Sequence, residues 1–138
     1  MSAQSEYLIT VKDLKKYFPI KAGIIKRAVG NVKAVDGVSF NIKKGQVLGI
    51  VGESGCGKST LGRTLLRLLN PTEGQVTYEG KDVFAMDKKE MNRMRTKMQI
   101  IFQDPYSSLN PRLPVYEIVG EAMLQHKLVK TKKEMKEK

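Results

Sequence analysis

The residues with the clearest capacity for chemistry form a glycine-rich loop at positions 52–59. Their sequence, Gly-Glu-Ser-Gly-Cys-Gly-Lys-Ser, fits the pattern G-x-x-x-x-G-K-[ST] at every fixed position. Glycines allow the backbone to curl with its N–H groups facing inward, and such a concave surface binds anions. The lysine supplies a positive charge for the outer phosphates, and the serine hydroxyl is a suitable ligand for Mg²⁺. The pattern predicts a site for the phosphates of a nucleoside triphosphate.

The elements around this loop are those that such a site requires. An apolar run at residues 47–51 predicts a buried strand, and apolar residues recur at helical spacing from Lys58 until Asn70 and Pro71. A helix that begins near Lys58 adds the partial positive charge of its N-terminus to the loop. The alternative interpretation, an accidental glycine-rich turn, does not require this order of strand, loop and helix.

Two other reactive side chains are interpreted as structural. Cys56 lies in the loop, where a neighbouring lysine and a helix N-terminus favour a thiolate. Catalytic cysteine chemistry needs a base, however, and the single histidine, His126, lies far along the chain. We therefore predict that Cys56 fills space in the loop and that His126 has a packing or surface role.

Length and composition predict one domain with a real core. The chain has 138 residues, of which 41% are apolar. The first seven residues do not resemble a signal peptide, and no apolar run approaches the roughly 18 residues of a membrane span. A single cysteine cannot form an internal disulfide, which agrees with a reducing compartment. We expect a cytosolic chain unless a partner holds it at a membrane.

The chain is basic, with 25 lysines and arginines, 14 acidic residues and a formal net charge of +11. This balance is compatible with binding to nucleic acid or anionic lipid, and with an ordinary soluble surface. Lysines crowd the last dozen residues: Lys127, Lys130, Lys132, Lys133, Lys136 and Lys138. Because no aromatic residue is interleaved with them, as in proteins that bind single strands, we interpret them as a solvated helix face.

The remaining pattern predicts an alternation of strands and helices. Strands are predicted at residues 7–13, 38–42, 47–51, 75–78 and 98–102. Helices are predicted at residues 58–69, 88–95 and 115–128, the last continuing into the lysine-rich end. Residues 18–32 and 104–114 contain prolines and show no clear periodicity, so loops are predicted there.

Four segments resemble the ATP-binding subunits of ABC transporters. Residues 33–40 and 49–60, KAVDGVSF and GIVGESGCGKST, are similar to the start of an ABC ATPase. Residues 98–112, MQIIFQDPYSSLNPR, resemble more specifically the oligopeptide and dipeptide importers, as does LKKYFP at residues 14–19. The resemblance covers almost the whole chain. It implies an α/β P-loop NTPase fold, incomplete, with an antiparallel β subdomain at its N-terminal side and the start of a helical subdomain at its C-terminal end.

The resemblance also implies the members of a nucleotide site. Tyr17 matches the aromatic residue that stacks on adenine; Phe18 is the alternative, and burial of both rings in the core is the competing interpretation. Gln103 matches the glutamine that helps to coordinate Mg²⁺ and the attacking water, unless it is an ordinary strand-terminal residue. Lys58 and Gln103 are the catalytic candidates, and Ser59 and Gln103 the candidate Mg²⁺ ligands. The candidate nucleotide-binding residues are Tyr17, Gly52, Glu53, Ser54, Gly55, Cys56, Gly57, Lys58, Ser59 and Thr60.

Three segments of a complete ABC ATPase are not found in this sequence. They are a signature such as Leu-Ser-Gly-Gly-Gln, an apolar strand that ends in Asp-Glu, and a switch histidine. The resemblance therefore predicts that residues 1–138 are the N-terminal part of one ABC ATPase domain. Residues 1–114 would be the nucleotide-binding core, and residues 115–138 the start of the helical subdomain. Without the general-base carboxylate, we expect the chain to bind ATP and Mg²⁺ without efficient hydrolysis.

The implied function is to couple the binding and hydrolysis of MgATP to the import of oligopeptides or dipeptides. The implied partners are integral-membrane permease subunits, a second ATP-binding subunit and, indirectly, a peptide-binding protein; nucleic acid is not among them. The implied location is the cytoplasmic side of the cell membrane. Two alternatives stay open: a short nucleotide-binding interaction module without ATPase activity, and a basic nucleic-acid-binding protein.

Overall fold

The computed structural model describes residues 6–22, 27–104, 106 and 108–137. The chain divides into two compact units, residues 1–95 and residues 96–138. In the described residues, the first unit contains a four-stranded antiparallel sheet and two helices, and the second unit contains two further helices. The predicted division at residue 114 stays a prediction.

A long antiparallel hairpin forms the centre of the first unit. Strand β1 (Ile9–Ala22) pairs with strand β2 (Arg27–Ile42) along its whole length. Strand β3 (Glu73–Tyr78) pairs with the other side of β1, and the short strand β4 (Lys81–Asp82) pairs with β3. The strand order is therefore β2-β1-β3-β4, and the strands predicted at residues 7–13, 38–42 and 75–78 are confirmed.

The hairpin corrects the loop predicted at residues 18–32. Both strands continue through the described part of this segment, and residues 23–26 lie outside it. Pro19, which indicated a loop, lies within β1 opposite Asn31. The pairing of β1 with β3 reaches only to Lys15, so Pro19 lies where one side of β1 is an edge. A proline is tolerated there because no neighbouring strand needs its missing N–H on that side.

Two short helices complete the first unit. Helix α1 (Lys58–Leu65) confirms the prediction after the glycine loop but ends four residues early, and helix α2 (Lys88–Met94) confirms the charged helix. Helix α2 begins with a capping box, in which Asp87 and Glu90 each accept a hydrogen bond from the other's backbone N–H. Among the described residues of this unit, the buried apolar ones are Val11, Leu14, Val35, Leu61, Val76, Tyr78, Val83, Met86, Met91 and Met94.

Two apolar segments that the sequence predicts to be strands have no regular structure. They are residues 47–51 and 98–102. Val47, Val51 and Ile101 are 94%, 93% and 92% exposed. A strand exists only when a neighbouring strand takes up its backbone hydrogen bonds, and the sheet formed by the described residues includes neither segment. Both strand predictions are therefore wrong for this structure.

The second unit consists of two helices that follow an irregular segment. Helix α3 (Val115–Gln125) packs against helix α4 (Lys132–Glu137), which confirms the prediction of a helix near residue 115 and of helical structure in the lysine-rich end. Gly120 permits this packing, because a Cβ atom there would overlap the side chain of Met135. Among the described residues, no helix is both long and apolar enough to cross a bilayer.

Candidate functional site

The glycine-rich loop at residues 52–59 leads from an irregular apolar segment into α1. The loop is exposed up to Cys56, and Gly57 and Lys58 are half-buried. Gly55 and Gly57 adopt φ angles of 81° and 97°, in the left-handed region. An L-residue with a Cβ atom is strained in this region, whereas glycine is not. The glycine types at these positions are therefore a requirement of the loop's backbone.

Gly57 also lies directly against strand β2. A Cβ atom at this position would overlap the backbone carbonyl oxygen of Ala34. Gly57 is the N-cap residue of α1, and its own carbonyl oxygen accepts a hydrogen bond of 2.8 Å from the N–H of Leu61. The close approach fixes the start of the helix, and with it the end of the loop, on the sheet.

Lys58 folds back over the loop. Its Nζ atom donates hydrogen bonds of 2.7 and 2.6 Å to the carbonyl oxygens of Gly52 and Glu53, and lies 3.4 Å from Cys56 Sγ. The ammonium group therefore lies beside the N-terminus of α1, whose first turn contains no acidic residue. Anionic phosphate oxygens are stronger acceptors than neutral carbonyl oxygens. A phosphate group can accordingly replace the carbonyl oxygens as the partner of Lys58.

The hydroxyl groups at the start of α1 fit a Mg²⁺ ion that is bound together with phosphates. Ser59 is exposed in the first turn, and Thr60 is half-buried and accepts at its carbonyl oxygen a hydrogen bond of 2.7 Å from the hydroxyl of Thr64. Within the described part of the chain, no cluster of three or more His, Cys, Asp or Glu residues could hold a metal ion. Mg²⁺ needs no such cluster, because it keeps several waters and takes few protein ligands beside phosphates.

Tyr17 lies on β1 directly opposite Lys33 of β2. Its hydroxyl donates a hydrogen bond to Asp36 Oδ1, and Lys33 Nζ lies 5.4 Å from the centre of its ring. Lys33 Nζ also lies 3.2 Å from Asp36 Oδ2. The hydrogen bond to Asp36 raises the pKa of the Tyr17 hydroxyl, and the same bond, followed by that from Lys33, lowers the pKa of the Asp36 carboxyl. The aromatic ring is therefore held by a carboxylate and an ammonium group.

Phe18, the other aromatic candidate, lies in a different environment. Successive residues of a strand point to opposite faces of a sheet, and Phe18 accordingly lies away from Tyr17. Phe18 is 38% exposed, and Lys16 Nζ lies 4.9 Å from the centre of its ring. Of the two aromatic side chains, it is that of Tyr17 that forms a hydrogen bond with Asp36, close to the part of β2 that approaches Gly57 of the glycine loop.

A four-residue segment of β2, residues 33–36, joins the two ends of this candidate site. Its first and last residues, Lys33 and Asp36, contact Tyr17. Between them, the carbonyl oxygen of Ala34 lies against Gly57, and Val35 is buried at 5% exposure. Because the same short segment touches both ends, their spacing is set by the backbone of one strand.

Comparison with known proteins assigns the family. The family model described as ABC transporter matches residues 35–138, more than half of the chain. The chain belongs to the ABC transporter family. This assignment confirms the family resemblance of the glycine loop and of the segments around it.

Several curated relatives of this ABC transporter chain are named as ATP-binding proteins of peptide transport. It is 49% identical over 138 residues to the oligopeptide transport ATP-binding protein AppF of Bacillus subtilis, covering 99% of this chain and 42% of that protein. It is 55% identical over 126 residues to the putative oligopeptide transport ATP-binding protein YkfD of Bacillus subtilis, covering 91% and 36%. It is 49% identical over 117 residues to the dipeptide transport ATP-binding protein DppF of Escherichia coli, covering 85% and 35%. The chain thus spans well under half the length of these relatives.

Solved structures confirm the fold class. A dimeric bacterial ABC transporter cassette, 27% identical, superposes with a TM-score of 0.70 over 94% of this chain and 53% of the cassette. The same score and coverages are found for a dimeric ATP-binding cassette in a post-hydrolysis state bound to ADP and Pi, which is 26% identical. The ABC transporter chain has part of the P-loop NTPase fold of these cassettes, including the antiparallel sheet at its N-terminal side.

The remaining predicted site residue, Gln103, belongs to the second unit. It is exposed and directly follows residues 98–102, where the predicted strand is not formed. Its roles in catalysis and in Mg²⁺ coordination stay predictions. His126 lies in the same unit, where it is half-buried at the end of α3.

Sequence analysis does not identify Lys33 and Asp36, the two residues of β2 that contact Tyr17. Both residues are part of the segment that carries the family resemblance, yet neither was assigned a role. A signal is present in the sequence: residues 14–35 contain no acidic residue, so Asp36 is the first carboxylate after Asp13. The aromatic ring that this carboxylate contacts becomes known only from the pairing of β1 with β2, which brings the hydroxyl of Tyr17 to Asp36.

Proposed function

We propose that this chain binds MgATP and is part of the ATP-binding subunit of an importer of oligopeptides or dipeptides. The observation that carries the proposal is the glycine loop, in which Gly57 lies against the backbone of Ala34 and Lys58 Nζ lies over the loop carbonyl groups. This geometry combines a lysine, a helix N-terminus and loop N–H groups at one place, which suits an anionic ligand. The names of the curated relatives support peptides as the transported class.

The proposed roles follow the chemistry of each residue. The backbone of residues 52–60 and the ammonium group of Lys58 bind the phosphates, and the Ser59 hydroxyl takes one position on Mg²⁺. The ring of Tyr17 stacks on adenine, since stacking gives affinity without hydrogen bonds. Gln103 helps to hold Mg²⁺ and the attacking water through its side-chain oxygen. Bound Mg²⁺ supplies charge neutralisation for the phosphoryl group.

Hydrolysis and transport are proposed for the intact subunit. In phosphoryl transfer, catalysis depends mainly on positioning and on charge stabilisation, and this chain supplies the phosphate-binding part of that machinery. We assign no general-base carboxylate among its 138 residues, so binding without efficient turnover is the activity proposed for the chain itself. The proposed partners are a second ATP-binding subunit, membrane-spanning permease subunits and, through them, a peptide-binding protein. The proposed location is the cytoplasmic face of the membrane.

Calorimetric titration with ATP, with and without Mg²⁺, tests the phosphate site. Lys58→Ala is expected to weaken binding about 10- to 150-fold, the loss typical of a hydrogen bond to a charged group. Lys44→Ala is the matched control, because Lys44 is an exposed lysine in the turn after β2 and the substitution changes the net charge equally. Equal affinity of wild type and Lys58→Ala would overturn the proposal. Retention on DNA by both proteins, lost with rising salt, would favour the nucleic-acid-binding alternative.

The thiol of Cys56 offers an independent readout. It is a free, exposed cysteine inside the proposed site. Bound ATP is expected to slow its alkylation by iodoacetamide, because the phosphates cover the loop. In Lys58→Ala the same ATP concentration should protect far less. Alkylation at an unchanged rate in saturating MgATP would show that the nucleotide binds elsewhere.

A further inference from the structure

We propose that Lys33 and Asp36 are positioning residues for the nucleotide base, which hold the ring of Tyr17 so that one of its faces is open to adenine. The proposal rests on the proposed function, because it concerns the same site. It assigns these two residues a task that differs from that of the phosphate loop: they act on the ligand through Tyr17 and do not bind it themselves.

The first argument is the way in which the tyrosine ring is held. A half-buried tyrosine on a strand has alternative side-chain rotamers, and a free ring would have to be ordered by the ligand. Here the hydroxyl of Tyr17 donates to Asp36 Oδ1, which anchors the far end of the ring. The backbone N–H of Tyr17 donates a hydrogen bond of 2.8 Å to Thr72 Oγ1, which holds the main chain of β1 at this position. The main chain and the hydroxyl end of the ring are therefore both held before any nucleotide arrives.

The second argument is the occupation of one ring face. Lys33 Nζ lies 5.4 Å from the ring centre, within the range of a cation–π contact. The ammonium group is itself held by Asp36, whose Oδ2 atom lies 3.2 Å away. A base cannot stack on a face that a cation covers, so at most one face of the half-buried Tyr17 ring remains for a nucleotide. Lys33 thereby selects the side from which adenine approaches.

The third argument is spacing. Lys33 and Asp36 flank Ala34, whose carbonyl oxygen lies against Gly57 of the phosphate loop. A strand is a rigid element, so the residues that hold the ring are kept at a fixed separation from the loop. The segment at residues 33–36 therefore sets the distance between the base and the phosphates of the ligand. Free tripolyphosphate, which has no base, would contact the phosphate loop and not the ring of Tyr17.

The experiment compares the affinities of the 138-residue chain for ATP and for tripolyphosphate. Asp36→Ala and Tyr17→Phe each remove the hydrogen bond between the two side chains, and each is expected to weaken ATP binding about twofold to tenfold. Both should bind tripolyphosphate as the wild type does. The double variant should bind ATP no more weakly than the weaker single variant, because both substitutions remove the same bond.

Lys33→Met tests the ring face separately. It keeps the length of the side chain and removes its charge, and Lys44→Met is its matched control on an exposed turn. Lys33→Met should weaken ATP binding and leave tripolyphosphate binding unchanged, whereas Lys44→Met should change neither. An equal loss of affinity for the two ligands would reveal a general structural role and would overturn the proposal.

A spectroscopic measurement distinguishes a role in positioning the Tyr17 ring from a general contribution to folding. The difference in tyrosinate absorbance between the wild type and Tyr17→Phe isolates the ionisation of Tyr17. Because the hydrogen bond to Asp36 raises the pKa of Tyr17, Asp36→Ala should lower its midpoint towards the ordinary value of about 10. A midpoint that does not move would contradict the anchoring of the ring.

The outcomes separate this inference from the function on which it rests. If Lys58→Ala binds ATP like the wild type, the phosphate site itself is refuted. If Lys58→Ala loses affinity while Asp36→Ala and Lys33→Met bind ATP like the wild type, the phosphate site stands and only the positioning role is refuted.

Discussion

The two ends of the proposed nucleotide site are built in different ways. The phosphate end is one continuous loop, residues 52–59, closed by the N-terminus of α1. The base end is assembled from two strands, since Tyr17 comes from β1 while Lys33 and Asp36 come from β2. Within the first unit, the phosphate end depends on backbone conformation, and the base end depends on side-chain contacts across a hairpin.

This difference determines how each end tolerates substitution. A backbone site has little freedom to adapt, because a Cβ atom at Gly57 meets the carbonyl group of Ala34. A side-chain site on a hairpin loses one contact at a time, since Tyr17, Lys33 and Asp36 are each at least partly exposed to solvent. We therefore expect large, coupled effects at the phosphate end and smaller, separable effects at the base end.

The largest expected effect is that of Gly57→Ala. The φ angle of 97° strains any residue with a Cβ atom, and the overlap with Ala34 adds a steric cost. Together they should lower the free energy of unfolding by about 2–4 kcal/mol, measured by urea denaturation. Binding of tripolyphosphate should be lost at the same time, because the loop cannot keep its place on β2.

Gly45→Ala is the matched control for this prediction. Gly45 has a φ angle of 77°, but a Cβ atom there would meet nothing within 4 Å. It should therefore cost only the conformational strain, about 1–2 kcal/mol, and leave tripolyphosphate binding intact. Equal losses of stability in the two variants would mean that the contact between Gly57 and Ala34 has no energetic role.

At the base end, Tyr17→Ala should reduce ATP affinity by about 1–3 kcal/mol, the usual contribution of an aromatic ring to base stacking. Tripolyphosphate binding should not change. Phe18→Ala is the control, because Phe18 lies on the opposite face of β1 and contacts Lys16. If calorimetry shows that Phe18→Ala weakens ATP binding and Tyr17→Ala does not, Phe18 and not Tyr17 is the ring that stacks on the base.

The sequence predicts the phosphate end well because the information is local. The fixed positions of the motif determine a loop followed by a helix, and α1 begins at Lys58 as the pattern indicates. The base end is harder to predict from the sequence, since the match of Tyr17 to a family does not reveal which residues contact its ring. Those partners depend on the register that pairs Tyr17 with Lys33, and register is a property of two strands together.

The strand predictions also succeed where the required information is local and fail where it is not. Strands are predicted at residues 7–13 and 38–42, and strands form there from Ile9 onwards, because adjacent segments of the chain supply their antiparallel neighbours. Residues 47–51 and 98–102 have an equally apolar pattern but lie outside the sheet of the described residues. An apolar run states a preference for burial, and a strand forms only where a neighbour completes its hydrogen bonds. Local pattern therefore cannot distinguish these two cases.

A smaller effect is expected from Ser59→Ala, which removes a proposed Mg²⁺ ligand without touching the loop backbone. The part of ATP affinity that depends on Mg²⁺ should fall by about 0.5–1.5 kcal/mol, because one oxygen ligand is replaced by water. In EDTA the variant and the wild type should bind ATP equally. If instead the two proteins differ in EDTA as well, Ser59 contributes to the shape of the loop and not to the metal.

The smallest expected effect is the pH dependence of the contacts around Tyr17. The folded chain lowers the pKa of Asp36, through hydrogen bonds from Tyr17 and Lys33, so the contribution of this carboxylate to stability is present above its ordinary pKa of about 4. The contribution is lost as the pH falls through the lower pKa of the folded state. The urea midpoint of the wild type should therefore exceed that of Asp36→Asn by a constant amount near neutral pH, and the difference should shrink below pH ~4. Because these side chains are exposed, solvent and salt screen the interaction, and 1 M NaCl should reduce the difference further. A difference that does not shrink between neutral pH and pH ~2.5 would mean that the shape of the side chain at position 36, and not its charge, holds the ring of Tyr17.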